Sequence, residues 1–333
     1  MSIRATAPGK LVVLGEYAVL TGTPALVLAV DRQCHVELGP SENERCHLRT
    51  CAPEPEETSF GIGGPSGVAL VDMVTGVAAA GSPSAWRGSV DSSGFFDGQA
   101  KLGIGSSAAA LTAWAAAWSV YTGKDHIARD VAGLETLIGL HRTFQGGSGS
   151  GLDVAASLFG GVLTYRLGSE SGPSVGSVQL PNSVGFTTVF TGFSASTPDL
   201  VATYSDWRTA RPTEAAEQLR PLERIAEDGC AAVRENDADE FLTAVAAYGR
   251  RLEVLGECIG AEIVTREHRE VAGHAKRSGV VYKVSGAGGG DLGIALSADP
   301  EALAAFRRAV RVKYRVVDFR VETAGLSVEE QAG

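Results

Sequence analysis

The segment Lys101-Leu102-Gly103-Ile104-Gly105-Ser106-Ser107-Ala108-Ala109 is built to meet an anion. Two glycines let backbone approach a charged oxygen closely, and the Ala-rich run that follows reads as a helix. The N-terminus of that helix presents unpaired N–H groups and the positive end of a dipole. Ser106 and Ser107 add hydroxyls able to bond a phosphate oxygen or enter a magnesium shell, and small residues from Ala108 onward let the helix lie close beneath a bound group. A glycine–serine turn capping a buried helix has the same composition, because serine is a preferred N-cap. The segment is not a Walker A loop, since no Gly-Lys-Ser/Thr closes it. Nor is it a dinucleotide fingerprint, since its third glycine is missing. Two carboxylates also stand out. Asp153 follows a glycine–serine loop at 146–151, where it suits a helix N-cap, and Glu16 lies in an apolar strand, where an unpaired charge is costly.

The elements that must position these groups follow from periodicity. Residues 1–38 read as two buried strands joined by a turn at Thr21-Gly22-Thr23-Pro24. Residues 39–66 read as a solvated loop or hairpin tip. A helical pattern covers 68–80, and VDSSGFFDGQ returns to strand or extended loop. The spacing of Leu111, Trp114 and Trp118 predicts a helix over 106–121, with both tryptophans in the core. Further helices are predicted over 130–144 and from about Asp153, before the strand GGVLTYRLG. Beyond residue 173 come the strand VGFTTVFTG, helical stretches over 213–235, 238–256 and 260–278, then VVYKVSG, DLGIALS, a helix PEALAAFRRAV and RVVDFRVE. That order resembles a ferredoxin-like α/β sandwich.

A chain of 333 residues suits two domains, divided here as 1–172 and 173–333. Lys and Arg total 29 against 39 Asp and Glu, a formal charge of −10. That balance argues against non-specific binding to nucleic acid or anionic membrane. No signal-peptide pattern opens the chain, and Glu16 and the 21–24 turn interrupt the only long apolar stretch. Five cysteines with no CxxC pair fit free thiols in a reducing compartment, so a cytoplasmic protein is expected. The six histidines show no metal-ligand spacing.

Three segments carry a resemblance that spans nearly the whole chain. Ala7-Pro8-Gly9-Lys10-Leu11-Val12-Val13-Leu14-Gly15-Glu16-Tyr17-Ala18-Val19-Leu20 resembles the first motif of GHMP kinases, Gly103 to Ala108 resembles the second, and Ser285-Gly286-Ala287-Gly288-Gly289-Gly290-Asp291 the third. Finer features resemble the phosphomevalonate kinases within that superfamily. These are Asp291 after the glycine run, the block His141-Arg142-Thr143-Phe144-Gln145-Gly146 followed by Gly149-Ser150-Gly151-Leu152-Asp153-Val154-Ala155, and Thr191-Gly192-Phe193-Ser194-Ala195-Ser196-Thr197. The resemblance implies an α+β GHMP kinase fold, with an N-terminal ribosomal-protein-S5-like domain and a C-terminal ferredoxin-like domain around a cleft. It implies ATP with Mg2+ as cofactor and phosphoryl transfer to a small phosphorylated or hydroxylated acid.

By the same resemblance Lys10 and Asp153 are the expected catalytic pair. Lys101, Gly103, Ile104, Gly105, Ser106, Ser107 and Ala108 are expected to hold ATP, and Ser107 and Glu16 to serve the metal. Acceptor contacts are expected from Ser150, Gly151, Ser194, Ser196, Thr197, Ser285, Gly286, Ala287, Gly288, Gly289 and Asp291. Cations for an acceptor phosphate are sought among Lys101, Arg142, Arg208, Arg211 and Lys283; His141 is given no catalytic role. Transfer to phosphomevalonate is the expected reaction. Mevalonate kinase, a decarboxylase-like relative or another small-molecule kinase is the alternative on the same scaffold. A catalytically inactive ligand sensor is the alternative of another class, and ATP consumption would separate the two. A homodimer is compatible with the chain.

Overall fold

The computed structural model describes residues 1–77, 84–124, 126–147, 149–168, 172–192 and 197–331. The first two strands, β1 (Ser2–Leu14) and β2 (Ala25–Pro40), form the predicted antiparallel pair, with a 3-10 turn at Ala18–Thr21 between them. Leu11 to Leu14 and Ala25 to Val30 are buried, as strands covered by helices must be. The pairing shifts register between Pro8 and Gly9 and again between Val12 and Leu14. Such bulges re-aim side chains. At Gly9 a side chain is excluded, because a Cβ there would stand 2.7 Å from the Ile104 carbonyl oxygen and 2.8 Å from the Phe95 ring. The Pro8-Gly9 step therefore seats β1 directly against the loop at 102–105 and delivers Lys10 to it.

The polar stretch after β2 is a hairpin, β3 (Cys46–Thr50) and β4 (Glu56–Phe60), attached to the sheet through β3. Next come α1 (Ala69–Val77), β5 (Trp86–Asp91) and the small hairpin β6 (Phe96–Asp97) and β7 (Ala100–Lys101). Of the helix predicted over 68–80, the last three residues lie outside the described ones. Helix α2 (Ser106–Tyr121) has the predicted bounds, and its Trp114 and Trp118 are buried beside Trp86. The helices α3 (Val131–Phe144) and α4 (Leu152–Phe159) follow, then β8 (Val162–Arg166) and β9 (Ser174–Val178).

The second half holds β10 (Gly185–Phe190), α5 (Thr197–Ala210), α6 (Pro212–Glu235), α7 (Ala238–Ile259), α8 (Arg266–Arg277), β11 (Val281–Val284), β12 (Leu292–Ser297), α9 (Pro300–Val310), β13 (Arg315–Val317) and β14 (Ser327–Gln331). Its sheet runs β11-β12-β10-β13, antiparallel throughout, which is the ferredoxin-like order expected. The first sheet runs β14-β1-β2-β5-β3-β4, with β8 pairing β2 and β9 pairing β8. It thus takes strands from both sides of residue 173, since β9 and β14 complete it.

Helices α2 and α4 cover one face of β1. One apolar core runs from there through α6 and α7 to the inner face of the second sheet. A smaller core, with Val271, Phe306 and Val310, lies under α8 and α9 on the outer face. Because the halves share the larger core, β1 and the loop between β11 and β12 are held face to face. No described helix is long and apolar enough to cross a membrane.

Candidate active site

The loop from β7 into α2 turns on Gly103 (φ 72°) and Gly105 (φ 81°), both in the left-handed region that glycine tolerates. Gly105 is the N-cap of α2 and no side chain caps the helix, so its first N–H groups are left for a ligand. Lys10 fastens the loop twice. Its backbone N–H donates to the Ile104 carbonyl (2.9 Å) and its ammonium to the Gly103 carbonyl (3.0 Å). Ile104 is buried and anchors the turn from below. The result is a fixed cradle with a positive helix end, suited to a nucleotide's phosphates.

Lys10 and Asp153 meet over Gly105. A Cβ on that glycine would stand 3.2 Å from Lys10 Cγ and 3.7 Å from Asp153 Cβ. Burial pushes the Lys10 ammonium below the ordinary lysine value, and the charges of Asp153, Asp291 and Glu16 oppose that drop. Asp153 sits in the first turn of α4, past the N-cap Gly151, and accepts from the Val154 N–H at 3.0 Å. It is not the helix cap that its sequence context suggests.

The third glycine segment divides between two tasks. Asp291, in a left-handed conformation (φ 56°), lays its carboxylate over the phosphate loop. A Cβ on Gly103 would be 2.4 Å from Asp291 Oδ2. Expected among the acceptor contacts, Asp291 stands on the phosphate-loop side. Gly286 reaches Lys10, with 3.5 Å from its Cβ position to the ammonium. The rest of the segment is architecture. The Ser285 hydroxyl accepts from the Val12 N–H and donates to the Val12 carbonyl, both at 3.0 Å, so the structure spends it on fastening β11 to β1. Gly288 packs on Ile263, Gly289 donates to the Ile263 carbonyl (2.8 Å), and the Gly290 carbonyl lies 2.9 Å from His268 Nε2.

Glu16, expected at the metal, is instead paired with Lys283. Their side chains are 2% and 0% exposed, and the Glu16 carboxylate also accepts from the Gly286 N–H at 3.3 Å. An anion neutralised inside the protein by a lysine is poorly placed to ligate Mg2+. The same pair removes Lys283 from the cations that could face an acceptor. Of the others, exposed Arg211 pairs with Glu214 and Arg208 lies over the Tyr204 ring. Arg142 donates to the Gly149 carbonyl at 3.0 Å, beside the loop before α4. Lys101 is exposed at the end of β7, close enough for its charge to act on Lys10.

A cavity of about 150 Å³ opens between the halves beside Lys10, Glu16 and Asp153. Ser150 and Gly149 of the loop before α4, Thr197 and Pro198 at the start of α5, and Gly286 and Ala287 also border it. Gly151, next to Ser150, packs on Ile138. Tyr17 closes one wall and donates to the Ala287 carbonyl at 2.6 Å. Ser194 and Ser196 lie outside the described residues. A larger cavity, about 730 Å³, lies along the first sheet near Glu37, Arg49 and Arg87, and neither Lys10, Asp153 nor the loop before α2 borders it. We assign the chemistry to the smaller one, because among the described residues a half-buried lysine, a carboxylate and two helix starts converge there.

The residues fit ATP and Mg2+. The uncapped α2 terminus supplies donors for phosphates, and Ser107 with the nearby carboxylates supplies the sparse oxygen set that Mg2+ takes when phosphates complete its shell. Among the described residues no group of three or more His, Cys, Asp or Glu forms a self-sufficient cage.

One neighbour of this site was not expected. His141, in the last turn of α3, is 2% exposed and stands between Ser107 and Asp153. Its place in the 141–146 block was the one sequence signal available.

Residues 231–316 match the family model of the GHMP kinase C-terminal domain. The chain is 30% identical to a phosphomevalonate kinase of Streptomyces sp. (strain CL190), over 87% of this chain and 88% of that one. It is 27% identical to a mevalonate kinase of Aeropyrum pernix, over 98% of each. The fold superposes on the Streptococcus pneumoniae phosphomevalonate kinase in complex with phosphomevalonate and AMPPNP, with a TM-score of 0.79 at 17% identity, covering 96% of this chain and 99% of that one.

Proposed function

The chain belongs to the GHMP kinase family and is a phosphotransferase of the mevalonate kinase and phosphomevalonate kinase type, and on that footing we propose that it transfers the γ-phosphoryl group of ATP to phosphomevalonate. The observation that carries this reading is the convergence of Lys10 with the starts of α4 and α5 on one cavity. No side chain caps α4. Helix N-termini and a lysine suit an acceptor with an anion at each end, a carboxylate and a phosphate.

In this reading the nucleotide's phosphates lie along the α2 N-terminus and the acceptor lies in the cavity, between an N-terminal part (1–172) and a C-terminal part (173–333). Mg2+ bound with the nucleotide, and held by Ser107, would neutralise charge on the phosphates. Lys10 stabilises negative charge on the phosphoryl group in flight, and the glycine cradle keeps donor and acceptor in line. Asp153 holds the Lys10 ammonium in place.

A phosphomonoester has its second pKa near about 6 and is mostly dianionic at neutral pH, so its attacking oxygen needs no base. An alcohol acceptor does, and general-base help is worth about 10²- to 10⁴-fold. Asp153→Asn is therefore expected to keep a larger share of phosphomevalonate turnover than of any mevalonate turnover. Equal proportional losses would overturn that division of labour.

Mevalonate as acceptor is the second reading, favoured by one feature. Lys10 is the only Lys or Arg among the described residues bordering the cavity. ADP release with MgATP, compared between the two acceptors, decides. Turnover with phosphomevalonate alone supports the proposal, turnover with mevalonate alone makes Asp153 the base, and silence with both removes the acceptor assignment.

A further inference from the structure

Three helices bring one side chain each to a single line beside the phosphate cradle. Ser107 comes from the first turn of α2, His141 from the last turn of α3 and Asp153 from the first turn of α4. Ser107 Oγ lies 3.2 Å from His141 Nε2, and His141 Nδ1 lies 3.8 Å from Asp153 Oδ1. The imidazole is buried against Phe144, so its orientation is fixed by packing rather than by solvent.

We propose that His141 is a positioning residue for phosphoryl transfer, accepting a hydrogen bond from the Ser107 hydroxyl on Nε2, while the charge of Asp153, 3.8 Å from Nδ1 and beyond hydrogen-bond distance, favours the Nδ1–H tautomer. A neutral imidazole carries one donor and one acceptor nitrogen. With the proton on Nδ1, the N–H faces the Asp153 carboxylate and the bare Nε2 faces Ser107. The other tautomer would set the Nδ1 lone pair against that carboxylate.

A serine in a first helical turn ordinarily turns its hydroxyl to a carbonyl three or four residues back. For Ser107 those are Ile104 and Gly103, and Lys10 already donates to both. Each carbonyl keeps a second lone pair, but the Ser107 hydroxyl lies 3.2 Å from His141 Nε2 instead. His141 lets Ser107 give its proton away from the cradle and present both oxygen lone pairs to a cation held there with the phosphates. Without it, the hydroxyl would be left to share the Gly103 or Ile104 carbonyl with Lys10 and turn its proton toward the cradle. The inference deepens the phosphotransferase reading by assigning this chain's means of holding Ser107 ready for Mg2+.

Two measurements test it. In protein with 15N-labelled histidine, the His141 ring, identified by its loss in His141→Gln, is expected to show a bare Nε2 and a protonated Nδ1 in its neutral form. It should lose that preference in Asp153→Asn. Protonated Nε2 in the wild type would overturn the proposal without touching the kinase assignment. Calorimetry with ADP, with and without Mg2+, is the second. Groups that orient a metal ligand typically cost about 10- to 100-fold in affinity or activity when removed. His141→Leu is therefore expected to weaken the Mg2+-dependent part of ADP binding by about tenfold, leaving ADP alone within about twofold. His141→Gln, whose carbonyl can take the place of Nε2, should recover most of it. Equal weakening with and without Mg2+, or no rescue by glutamine, would reduce His141 to packing. Failure of the wild type to bind ADP under any condition would instead sink the phosphotransferase site, a result distinct from normal wild-type binding that His141→Leu leaves unchanged.

Discussion

Lys10→Met is expected to lower kcat by about 100- to 1000-fold while the KM for ATP moves only a few-fold. Removing one preorganised group aimed at transition-state charge costs about that much in other enzymes. The estimate applies here because the ammonium has a fixed position, 3.0 Å from the Gly103 carbonyl and beside Asp153, with no slack in which a substitute could settle. Nucleotide affinity should be affected less, since the bond from the Lys10 backbone N–H to the Ile104 carbonyl still fastens the loop before α2 when the ammonium is gone. The fold should also tolerate methionine. Burial already disfavours the charged form of Lys10, and the backbone bond from its N–H to Ile104 survives the change. Arginine is not expected to rescue, because Gly105 and Gly286 crowd the stem and a guanidinium fork needs more width. A methionine variant within a few-fold of wild type in the ADP-release assay, at an unchanged urea midpoint, would show that Lys10 only staples the loop.

How far the chain could be read before its structure was known depended on sequence distance. Helix α2 and its loop were legible because every signal is local, with two glycines, two serines and an alanine-rich run in one stretch. The pairing of Ser2 with Gln331 was not, because nothing in RVVDFRVE or the residues after it says which strand edge is open. Side chains in the third glycine segment were misjudged for the same reason. Ser285 belongs to a glycine-rich motif, yet its hydroxyl is used up by Val12, 273 residues away. Glu16 was rightly suspected of needing a partner, but the partner is 267 residues distant. His141 went unassigned because its role exists only where three helices meet. Motif matching names the segments that approach a site. Which side chains then face the ligand and which face each other is set by packing, as Ser285, Glu16 and Lys283 show.

Lys283→Met is expected to cost about 3–5 kcal/mol of stability, the price of leaving a carboxylate buried and unpaired. Lys283 donates to Glu16 and to the Val284 carbonyl, and Glu16 Oε2 has no hydrogen-bond partner among the described residues. Glu16 therefore depends on this one cation for nearly all its compensation. The pair also sits where the halves join. Tyr248 donates to the Glu16 carbonyl at 2.7 Å, Gly286 donates to its side chain, and Tyr17 reaches Ala287 from the adjacent position. Loss of the lysine should loosen the loop between β11 and β12 and raise the KM for the acceptor before it lowers kcat. Adding Glu16→Gln to Lys283→Met removes the stranded charge while keeping an acceptor for the Gly286 N–H. The double variant should then recover more than half of the lost stability in urea denaturation, a non-additivity expected only of groups in direct contact. If the single variant instead loses less than about 1 kcal/mol, Glu16 must either take up a proton or be reached by water when the lysine is gone. In the second case the join between the halves would be wetter than this packing allows, and the cavity beside it could no longer be treated as a preformed acceptor site.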